Sequence, residues 1–274
     1  MPEPALSLRG VSQVFHPGTA NEVVALDEVA LVLERGSFTL VLGTNGSGKS
    51  SLLGAIAGSL PLAAGRVAVE GVDITAWPEQ RRARLIGRVF QNPFAGTAAD
   101  LTIAENLALA ERRGKTRRFR RALGPARRQG LRDAVAGLGM GLEDRLDTPI
   151  GALSGGQRQA LTLLMATLVR PSLLLLDEHT AALDPRSADQ VIRLTQGIVA
   201  EGRLTTLMVT HSMAQAAQLG DRVLVMHRGR VAYDLPGAAR QRLTEGELLQ
   251  LFDQLRWADR VDEDAAALLR EAYV

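Results

Sequence analysis

The chain has 274 residues and a formal net charge of +2, and 46% of its residues are hydrophobic. This composition suits a folded protein with a sizeable core, and it gives no overall charge that would attract nucleic acid. The absence of cysteine excludes disulfides, thiolate metal sites and a cysteine nucleophile. There is no apolar signal segment at the start, and no apolar run is long enough to cross a bilayer. We therefore expect a soluble chain that reaches a membrane only through a partner.

Short strands dominate the first part of the chain. Alternating apolar residues and turn residues predict a small antiparallel group. Its strands are predicted at Ala5–Leu8 with Val11–Phe15, at Val23–Leu26 and Val29–Leu33 with turn residues between them, and at Arg66–Val69 and Gly71–Ile74.

Residues Gly43–Ser50 read GTNGSGKS and match the phosphate-binding pattern G-x-x-x-x-G-K-[ST]. The apolar run Phe38–Leu42 predicts a buried strand before the loop, and Ser51–Ile56 predicts a helix after it. Glycines allow backbone N–H groups to surround phosphates, and the helix N-terminus adds positive charge. We expect Lys49 to reach the β- and γ-phosphates, Ser50 to bind Mg²⁺ and Ser51 to contact the α-phosphate. The predicted nucleotide-binding set is Gly43, Thr44, Asn45, Gly46, Ser47, Gly48, Lys49, Ser50 and Ser51.

Phe15 is the early aromatic residue best placed to stack on an adenine, because the antiparallel strands are expected on the adenine side of the loop. The alternative is a core phenylalanine on a strand. Both interpretations are compatible with the sequence.

The strand end Arg88–Phe90 leads into Gln91, whose amide could lie near Mg²⁺ and the attacking water. The alternative is a glutamine that simply faces solvent. Thr102 and Glu105 then form a capping box for a helix predicted at Ile103–Arg112.

Arginine is dense between Arg112 and Arg132. This run is compatible with a solvated helical face, or with a surface for anionic lipid headgroups or an acidic partner. Nucleic-acid binding is not expected, since Phe119 is the only aromatic residue in the run.

Residues Leu153–Gln157 read LSGGQ and open a helix whose apolar residues recur at helical spacing. Its free N–H groups and serine hydroxyl would form a second anion site at a helix N-terminus. A lone Ser-Gly-Gly turn would be only a helix cap, so its position between the phosphate loop and the following carboxylates is what favours function.

Four leucines, Leu173–Leu176, end in Asp177 and Glu178. Such a run is typical of a parallel strand buried on both faces. We expect Asp177 to hold Mg²⁺ through a water and Glu178 to orient and deprotonate the hydrolytic water. Two adjacent structural acids would be costly to bury without a cation.

The strand predicted at Leu207–Thr210 delivers His211 to the same edge, beside the γ-phosphate, although a strand-end histidine is often structural. A hairpin follows at Val223–Met226 and Val231–Tyr233. A capping box at Thr244 and Glu247 then starts a helix, and a last helix is predicted from Asp262 to Ala272.

Together these motifs resemble those of the ATP-binding subunits of ABC transporters, in the same order over about residues 5–235. The matches are Walker A at Gly43–Ser50, the Q-loop at Gln91, the signature at Leu153–Gln157, Walker B at Leu173–Glu178, the D-loop at Ala181–Asp184 and the switch histidine at His211. His179 stands where this family usually has proline.

The resemblance implies an α/β P-loop NTPase fold with a mainly parallel central sheet, an antiparallel β subdomain and an inserted α-helical subdomain. The ATPase domain would span residues 5–235, with the helical subdomain at about 95–170 and a C-terminal helical extension at 236–274. The implied catalytic residues are Lys49, Gln91, Glu178 and His211, and the implied Mg²⁺ ligands are Ser50, Gln91 and Asp177.

The resemblance also implies a function: ATP hydrolysis, with Mg²⁺, that powers solute uptake through a separate membrane permease. The chain would be peripheral, on the cytoplasmic face of the plasma (inner) membrane. A substrate-binding protein would be an indirect partner, acting through the permease. A head-to-tail homodimer would place each ATP between Walker A of one copy and the signature of the other. The implied residues in trans are Ser154, Gly155, Gly156, Gln157 and Asp184. The sequence DEHTAALDP at 177–185 resembles the motif of a less-studied importer branch, which is associated with amino-acid-like solutes.

Two alternatives stay open. Within transport, the subunit could serve export or lipid and lipoprotein extraction. Outside transport, it could be a soluble repair or translation ATPase, but the chain has no room for a long coiled coil between Gln91 and Leu153 and no second phosphate loop.

Overall fold

The computed structural model describes residues 3–115, 123–237 and 244–255. The strands are β1 Leu6–Phe15, β2 Val23–Leu33, β3 Phe38–Gly43, β4 Ala64–Val69, β5 Val72–Asp73, β6 Ile86–Val89, β7 Leu173–Asp177, β8 Thr206–Val209, β9 Arg222–His227 and β10 Arg230–Pro236. The helices are α1 Lys49–Ala57, α2 Glu79–Arg82, α3 Ile103–Ala110, α4 Pro125–Ala136, α5 Gly155–Thr167, α6 Pro185–Gly202 and α7 Met213–Gln218, with a 3-10 turn at Ile150–Ala152 and a further helix at 245–255.

The larger sheet has the order β10-β9-β3-β8-β7-β6 in the described residues. Strands β9, β3, β8, β7 and β6 run parallel, and only β10 is antiparallel to its neighbour. Every residue of β3 and β7 is buried, which explains why both strands are mostly apolar. The predicted mainly parallel central sheet is confirmed, and the carboxyl ends of its parallel strands meet at one edge.

The smaller sheet is antiparallel, with the order β2-β1-β4-β5. The prediction of two strands at Val23–Leu26 and Val29–Leu33 was wrong, because β2 is continuous through Asp27 and Glu28. These polar residues mark an irregularity rather than a turn: Glu28 has φ 49°, and its N–H donates to Ser12 Oγ at 3.0 Å. The pairing of β1 with β2 shifts register in the same region.

A group of helices, α3, α4 and α5, shares a core of its own with the 3-10 turn. The predicted capping box is confirmed, since Thr102 Oγ1 accepts from Glu105 N–H and the Glu105 carboxylate accepts from Thr102 N–H. Helix α3 ends at Ala110, two residues before the predicted end, because the N–H groups of Arg112 and Arg113 bond three residues back, to the carbonyls of Leu109 and Ala110, rather than four.

The described arginines of the basic run are engaged within the chain. Ion pairs join Arg127 to Glu111, Arg128 to Asp147 and Arg132 to Asp144. Arg113 donates to the carbonyl of Ala166 at the end of α5. These contacts favour a structural role for the part that is described, while residues 116–122 lie outside the described residues.

The 245–255 helix packs on the core of the larger sheet. Leu248 and Phe252 are buried there, while Leu249 is 48% exposed. The predicted capping box of Thr244 and Glu247 is confirmed. The helix predicted at Asp262–Ala272 lies outside the described residues. Across the three described ranges, every helix is too short or too polar to cross a membrane.

Arg82 caps the C-terminus of α1, the helix that follows the phosphate loop. Its buried guanidinium donates to the carbonyls of Ala55 at 2.7 Å and Ile56 at 2.9 Å. It also donates to the carbonyls of Thr75 and Trp77. One side chain thus satisfies helix-end carbonyls that would otherwise be orphaned.

We expect Arg82→Met to lower the free energy of unfolding by about 3–5 kcal/mol, because it leaves several buried carbonyls without a donor. The matched control is Arg81→Met, which removes an exposed guanidinium lying 3.9 Å from the centre of the Trp77 ring and should cost about 0.5–1 kcal/mol. Urea denaturation measures both. Equal losses in the two variants would contradict the capping role.

Candidate functional site: a nucleotide-binding edge of the parallel sheet

The phosphate loop leaves β3 at Gly43 and enters α1 at Lys49. A Cβ on Gly43 would lie 2.3 Å from Ser47 Oγ, and one on Gly48 would lie 2.4 Å from the carbonyl oxygen of Ala25. Gly48 also has φ 100°, which disfavours any L side chain. Both ends of the loop therefore require glycine.

The hairpin turn between β9 and β10 is hydrogen-bonded to the phosphate loop. The carbonyl of Ser47 accepts from Gly229 N–H at 3.0 Å, and the carbonyl of Gly229 accepts from Asp27 N–H at 3.0 Å. Gly229 lies between β9 and β10, and Asp27 lies on β2, so both sheets meet at the loop. The loop backbone is therefore held in place by the rest of the fold.

The N-terminus of α1 has no side-chain cap. By contrast, Thr102, Ser154, Asp184 and Ser212 cap the N-termini of α3, α5, α6 and α7 with their side chains. The first N–H groups of a helix need acceptors, and the helix dipole makes an anion a favourable one. Helix α1, which lacks such a cap, therefore leaves its first N–H groups available to a phosphate.

Lys49 is buried and points along the loop. Its Nζ donates to the carbonyls of Gly43 and Thr44, both at 2.9 Å. Burial lowers the pKa of Lys49, while the carboxylates of Glu178 and Asp177 oppose that shift. The ammonium group is therefore held at the loop beside two acids.

Ser50 and Asp177, two of the predicted Mg²⁺ ligands, lie next to each other. Ser50 Oγ lies 3.5 Å from Asp177 Oδ1, while Asp177 Oδ2 faces Arg88 Nη2, also at 3.5 Å. The described residues hold no cluster of three or more His, Cys, Asp or Glu suited to a metal ion. Mg²⁺ fits nonetheless, since it takes oxygen ligands and binds through one or two carboxylates together with substrate phosphates.

Glu178 lies at the centre of the edge, directly after β7. His211 Nε2 is 2.6 Å from Glu178 Oε1, and Gln91 Nε2 donates to Glu178 Oε2 at 3.4 Å. The three side chains follow the neighbouring strands β6, β7 and β8, which brings them together at one edge of the sheet. The Glu178 side chain is 11% exposed and that of His211 is 43% exposed, which leaves the group open on one side.

The signature turn lies elsewhere in the chain. Ser154 Oγ accepts from Gln157 N–H, and Gln157 Oε1 accepts from Ser154 N–H, which forms a second capping box. A Cβ on Gly155 would approach Leu183, and one on Gly156 would approach Ser187. Among the described residues, the hydrogen bonds of this turn stay within its own surroundings and do not reach the phosphate loop.

Asp184 is exposed and caps α6, its Oδ1 accepting from Ser187 N–H at 3.0 Å. Hydrogen bonds from Ser187 lower the pKa of the Asp184 carboxyl. The residue thus has a structural role that the sequence pattern did not indicate. Its predicted contact with a nucleotide in trans stays a prediction.

Phe15 ends β1 and is half-buried, outside the fully buried core of the antiparallel sheet. Phe15 is therefore partly accessible, and its stacking on adenine stays a prediction. A cavity of about 480 Å³ adjoins the loop. It is lined by Leu42, Gly43, Thr44, Asn45, His211, Met213 and Phe252.

Two features were missed by sequence reasoning. Arg88 contacts Asp177, and the only sequence signal was a charged residue in the apolar strand β6. Gln215 connects the switch loop, the residues around His211, to the segment that follows Glu178. Its Oε1 accepts from Thr210 Oγ1 at 2.6 Å, and its Nε2 donates to Thr180 Oγ1 at 3.4 Å. No pattern in the sequence predicted that second contact.

A strand–loop–helix phosphate cradle beside a carboxylate-tipped parallel strand defines the class: a P-loop nucleoside triphosphatase. The sequence profile of the family described as ABC transporter matches residues 26–181, more than half of the chain. The chain belongs to the ABC transporter family and is one of its ATP-binding, ATP-hydrolysing subunits.

Relatives with known names agree with this assignment. The chain is 38% identical to a tyrosine transport ATP-binding protein of Clostridioides difficile, over 90% of this chain and 98% of that one. It is 40% identical to the methionine import ATP-binding protein MetN 1 of Rhodopseudomonas palustris, over 78% of this chain and 55% of that one.

Solved structures give the same fold. The dimeric ATP-binding cassette MJ0796 in a post-hydrolysis state with ADP and Pi superposes with a TM-score of 0.72 at 25% identity. The match covers 84% of this chain and 98% of that one.

We expect Gly48→Ala to weaken ATP binding by roughly 100-fold, as the loss of about two charge-assisted hydrogen bonds would. The added Cβ collides with the backbone at Ala25, so the loop must move. Titration with a fluorescent ATP analogue measures the affinity.

Gly46→Ala is the matched control. Gly46 has φ 78°, but nothing lies within 4 Å of the place that an added Cβ would occupy, so only backbone strain of about 1–2 kcal/mol is expected. If both variants bound ATP equally well, the steric account of the loop would be wrong.

Proposed function

We propose that this subunit uses Glu178 as general base for ATP hydrolysis and thereby powers the uptake of an amino-acid-like solute through a separate membrane permease. The observation that carries the hydrolytic role is the Glu178 carboxylate held between His211 and Gln91, at the sheet edge where α1 presents its free N–H groups. A carboxylate positioned against a water next to bound phosphate is suited to accept the proton of that water.

The phosphates of ATP fit the N-terminus of α1, and Lys49 would exchange its carbonyl partners for β- and γ-phosphate oxygens. The carbonyls of Gly43 and Thr44 now hold its ammonium group at the loop, so little reorganisation is needed. The short contact of Glu178 with His211 leaves no space for a water between them. His211 must therefore turn from Glu178 towards the γ-phosphate before the attacking water can occupy its place.

Magnesium would be held by Ser50, Gln91 and Asp177 together with phosphate oxygens. The Asp177 oxygen turned to Ser50 is available for this, because its other oxygen faces Arg88. Bound Mg²⁺ would neutralise charge on the β- and γ-phosphates. The half-buried Phe15 would stack on the adenine.

A second copy of the chain would complete the site. Ser154, Gly155 and Gly156 carry an anion-binding helix end that does not meet the phosphate loop of its own chain, so it is free to meet that of another. Gln157 and Asp184 would lie at the same interface. A dimeric cassette among the solved relatives, MJ0796, supports this arrangement.

Uptake is supported by relatives whose names specify tyrosine transport and methionine import. A permease partner, a substrate-binding protein that serves it indirectly, and a peripheral position on the cytoplasmic face of the plasma membrane complete the proposal. An amino-acid-like solute is the substrate class that both names share.

We expect Glu178→Gln to lower ATP turnover by roughly 100- to 1,000-fold, the contribution of a positioned general base. The amide is isosteric and leaves the phosphate contacts intact, so ATP affinity should change little and a dimer should accumulate with ATP. Phosphate release and size-exclusion chromatography measure these effects. The matched control, Glu201→Gln, alters an exposed glutamate on α6 and should keep wild-type turnover. Wild-type turnover in Glu178→Gln would overturn the role given to Glu178.

The transport role is tested separately. A tagged chain purified from solubilised membranes of its own source, with Glu178→Gln and ATP present, should bring down an integral membrane protein. Deletion of the chain should abolish uptake of labelled tyrosine or methionine. An active ATPase that captures no membrane protein would indicate a soluble ABC ATPase, and captured lipid or lipoprotein machinery would indicate extraction rather than uptake.

A further inference from the structure

His179, directly after Glu178, is a fully enclosed polar side chain with 1% exposure. Its Nε2 lies 3.0 Å from the hydroxyl of Thr195 on α6. Thr195 is also buried, and its hydroxyl donates to the carbonyl of Val191 at 2.8 Å. Because a hydroxyl has one hydrogen, Thr195 must accept from His179, so the proton of the ring is on Nε2.

The other ring nitrogen, Nδ1, is buried and has no hydrogen-bond partner among the described residues. Burial also lowers the pKa of His179 to about 4, so the ring is neutral near pH 7. An apolar residue would fill the space without leaving a buried acceptor unsatisfied. Histidine is therefore less favourable here than an apolar residue as far as core packing is concerned. What it provides, and an apolar residue cannot, is the directional hydrogen bond to Thr195.

That bond fixes a chain segment under local strain. Glu178 has φ 43°, a left-handed conformation that non-glycine residues rarely adopt. Its backbone is held by Glu178 N–H donating to Val209 at 3.1 Å and by Ala181 N–H donating to the Glu178 carbonyl at 2.9 Å. The ring of the next residue adds a side-chain anchor to these two backbone bonds.

On the far side of His179, Thr180 is tied to the switch loop. Gln215 Nε2 donates to Thr180 Oγ1, and Gln215 Oε1 accepts from Thr210 Oγ1. The segment after Glu178 is thus fastened to α6 through His179 and to the loop carrying His211 through Thr180. Both contacts restrict the backbone next to Glu178, and so restrict where its carboxylate points.

We propose that His179 is a positioning residue for hydrolysis: through its hydrogen bond to Thr195 it holds the Glu178 carboxylate in line with Gln91 and His211. This inference rests on the proposed role of Glu178 as general base. His179 itself is enclosed, so it acts through Glu178 rather than by contact with a nucleotide. Its loss lowers the rate of the chemical step and leaves ATP binding intact, because the phosphate loop is not part of this anchor.

Thr195→Val tests the bond with almost unchanged volume. We expect kcat to fall roughly tenfold, the rate equivalent of losing about one hydrogen bond of positioning energy, while the KM for ATP and the affinity for a fluorescent ATP analogue stay within about twofold. Thr195→Ser keeps the hydroxyl and should restore most of the rate. Thr167→Val is the matched control, since the Thr167 hydroxyl also donates to a carbonyl four residues back, that of Leu163, but contacts no histidine.

A double-mutant cycle separates positioning from general damage. His179→Met and Thr195→Val each break the same bond, so their effects on kcat should not multiply when they are combined. His179→Gln keeps an N–H donor of similar reach and should lie closer to wild type than His179→Met. Thermal melts identify any variant that is unfolded at the assay temperature, and the Gln and Ser variants then decide the question.

Glu178→Gln is run beside these variants. If it loses turnover while Thr195→Val and His179→Met keep the wild-type kcat, or if the effects of those two multiply, the positioning role is wrong and the proposed function stands. If Glu178→Gln itself keeps wild-type turnover, the proposed function fails first.

Discussion

The start of α1 is the constraint on which the rest of the structure depends. A helix that begins at glycine, with no side-chain cap, leaves its first N–H groups to an external anion. That arrangement is stable only if the loop backbone is fixed from elsewhere, and here the turn at Gly229 and strand β2 provide the support. At the other end, Arg82 satisfies the helix carbonyls. The sheet places Glu178 and His211 where a phosphate bound at that helix end would meet them.

Much of this edge could be predicted from sequence because it follows from strand direction. Parallel strands have their carboxyl ends on the same side, so residues immediately after apolar runs, such as Glu178 and His211, are expected at one edge of the sheet. Their close contact also requires that β7 and β8 are neighbours, as they are here. Arg88 could not be found in this way. It lies within β6 rather than after it, and its contact with Asp177 depends on β6 pairing with β7, which is a long-range pairing.

Two other features depend on contacts between residues that are distant in sequence. Asp27 and Glu28 look like turn residues, yet β2 continues through them because a hydrogen bond to Ser12 absorbs the irregularity. The place of Phe252 beside the loop was also beyond prediction, since its helix meets the sheet only through tertiary packing. The motifs identified the chemistry, whereas the contacts that hold each motif in place came from distant parts of the chain.

His179, the residue after Glu178, stands where the family usually has proline, and the two residue types constrain the chain differently. A proline, which the family usually has there, would fix its own φ and favour an extended backbone at the residue before it. Glu178 in this chain has a left-handed backbone instead, which a following proline would disfavour. Histidine does not restrict the backbone of the preceding residue in this way, but it also lacks the proline ring that would fix φ at position 179. The bond from His179 to Thr195 on α6 adds a side-chain anchor next to the strained Glu178, beside the two backbone hydrogen bonds that hold it.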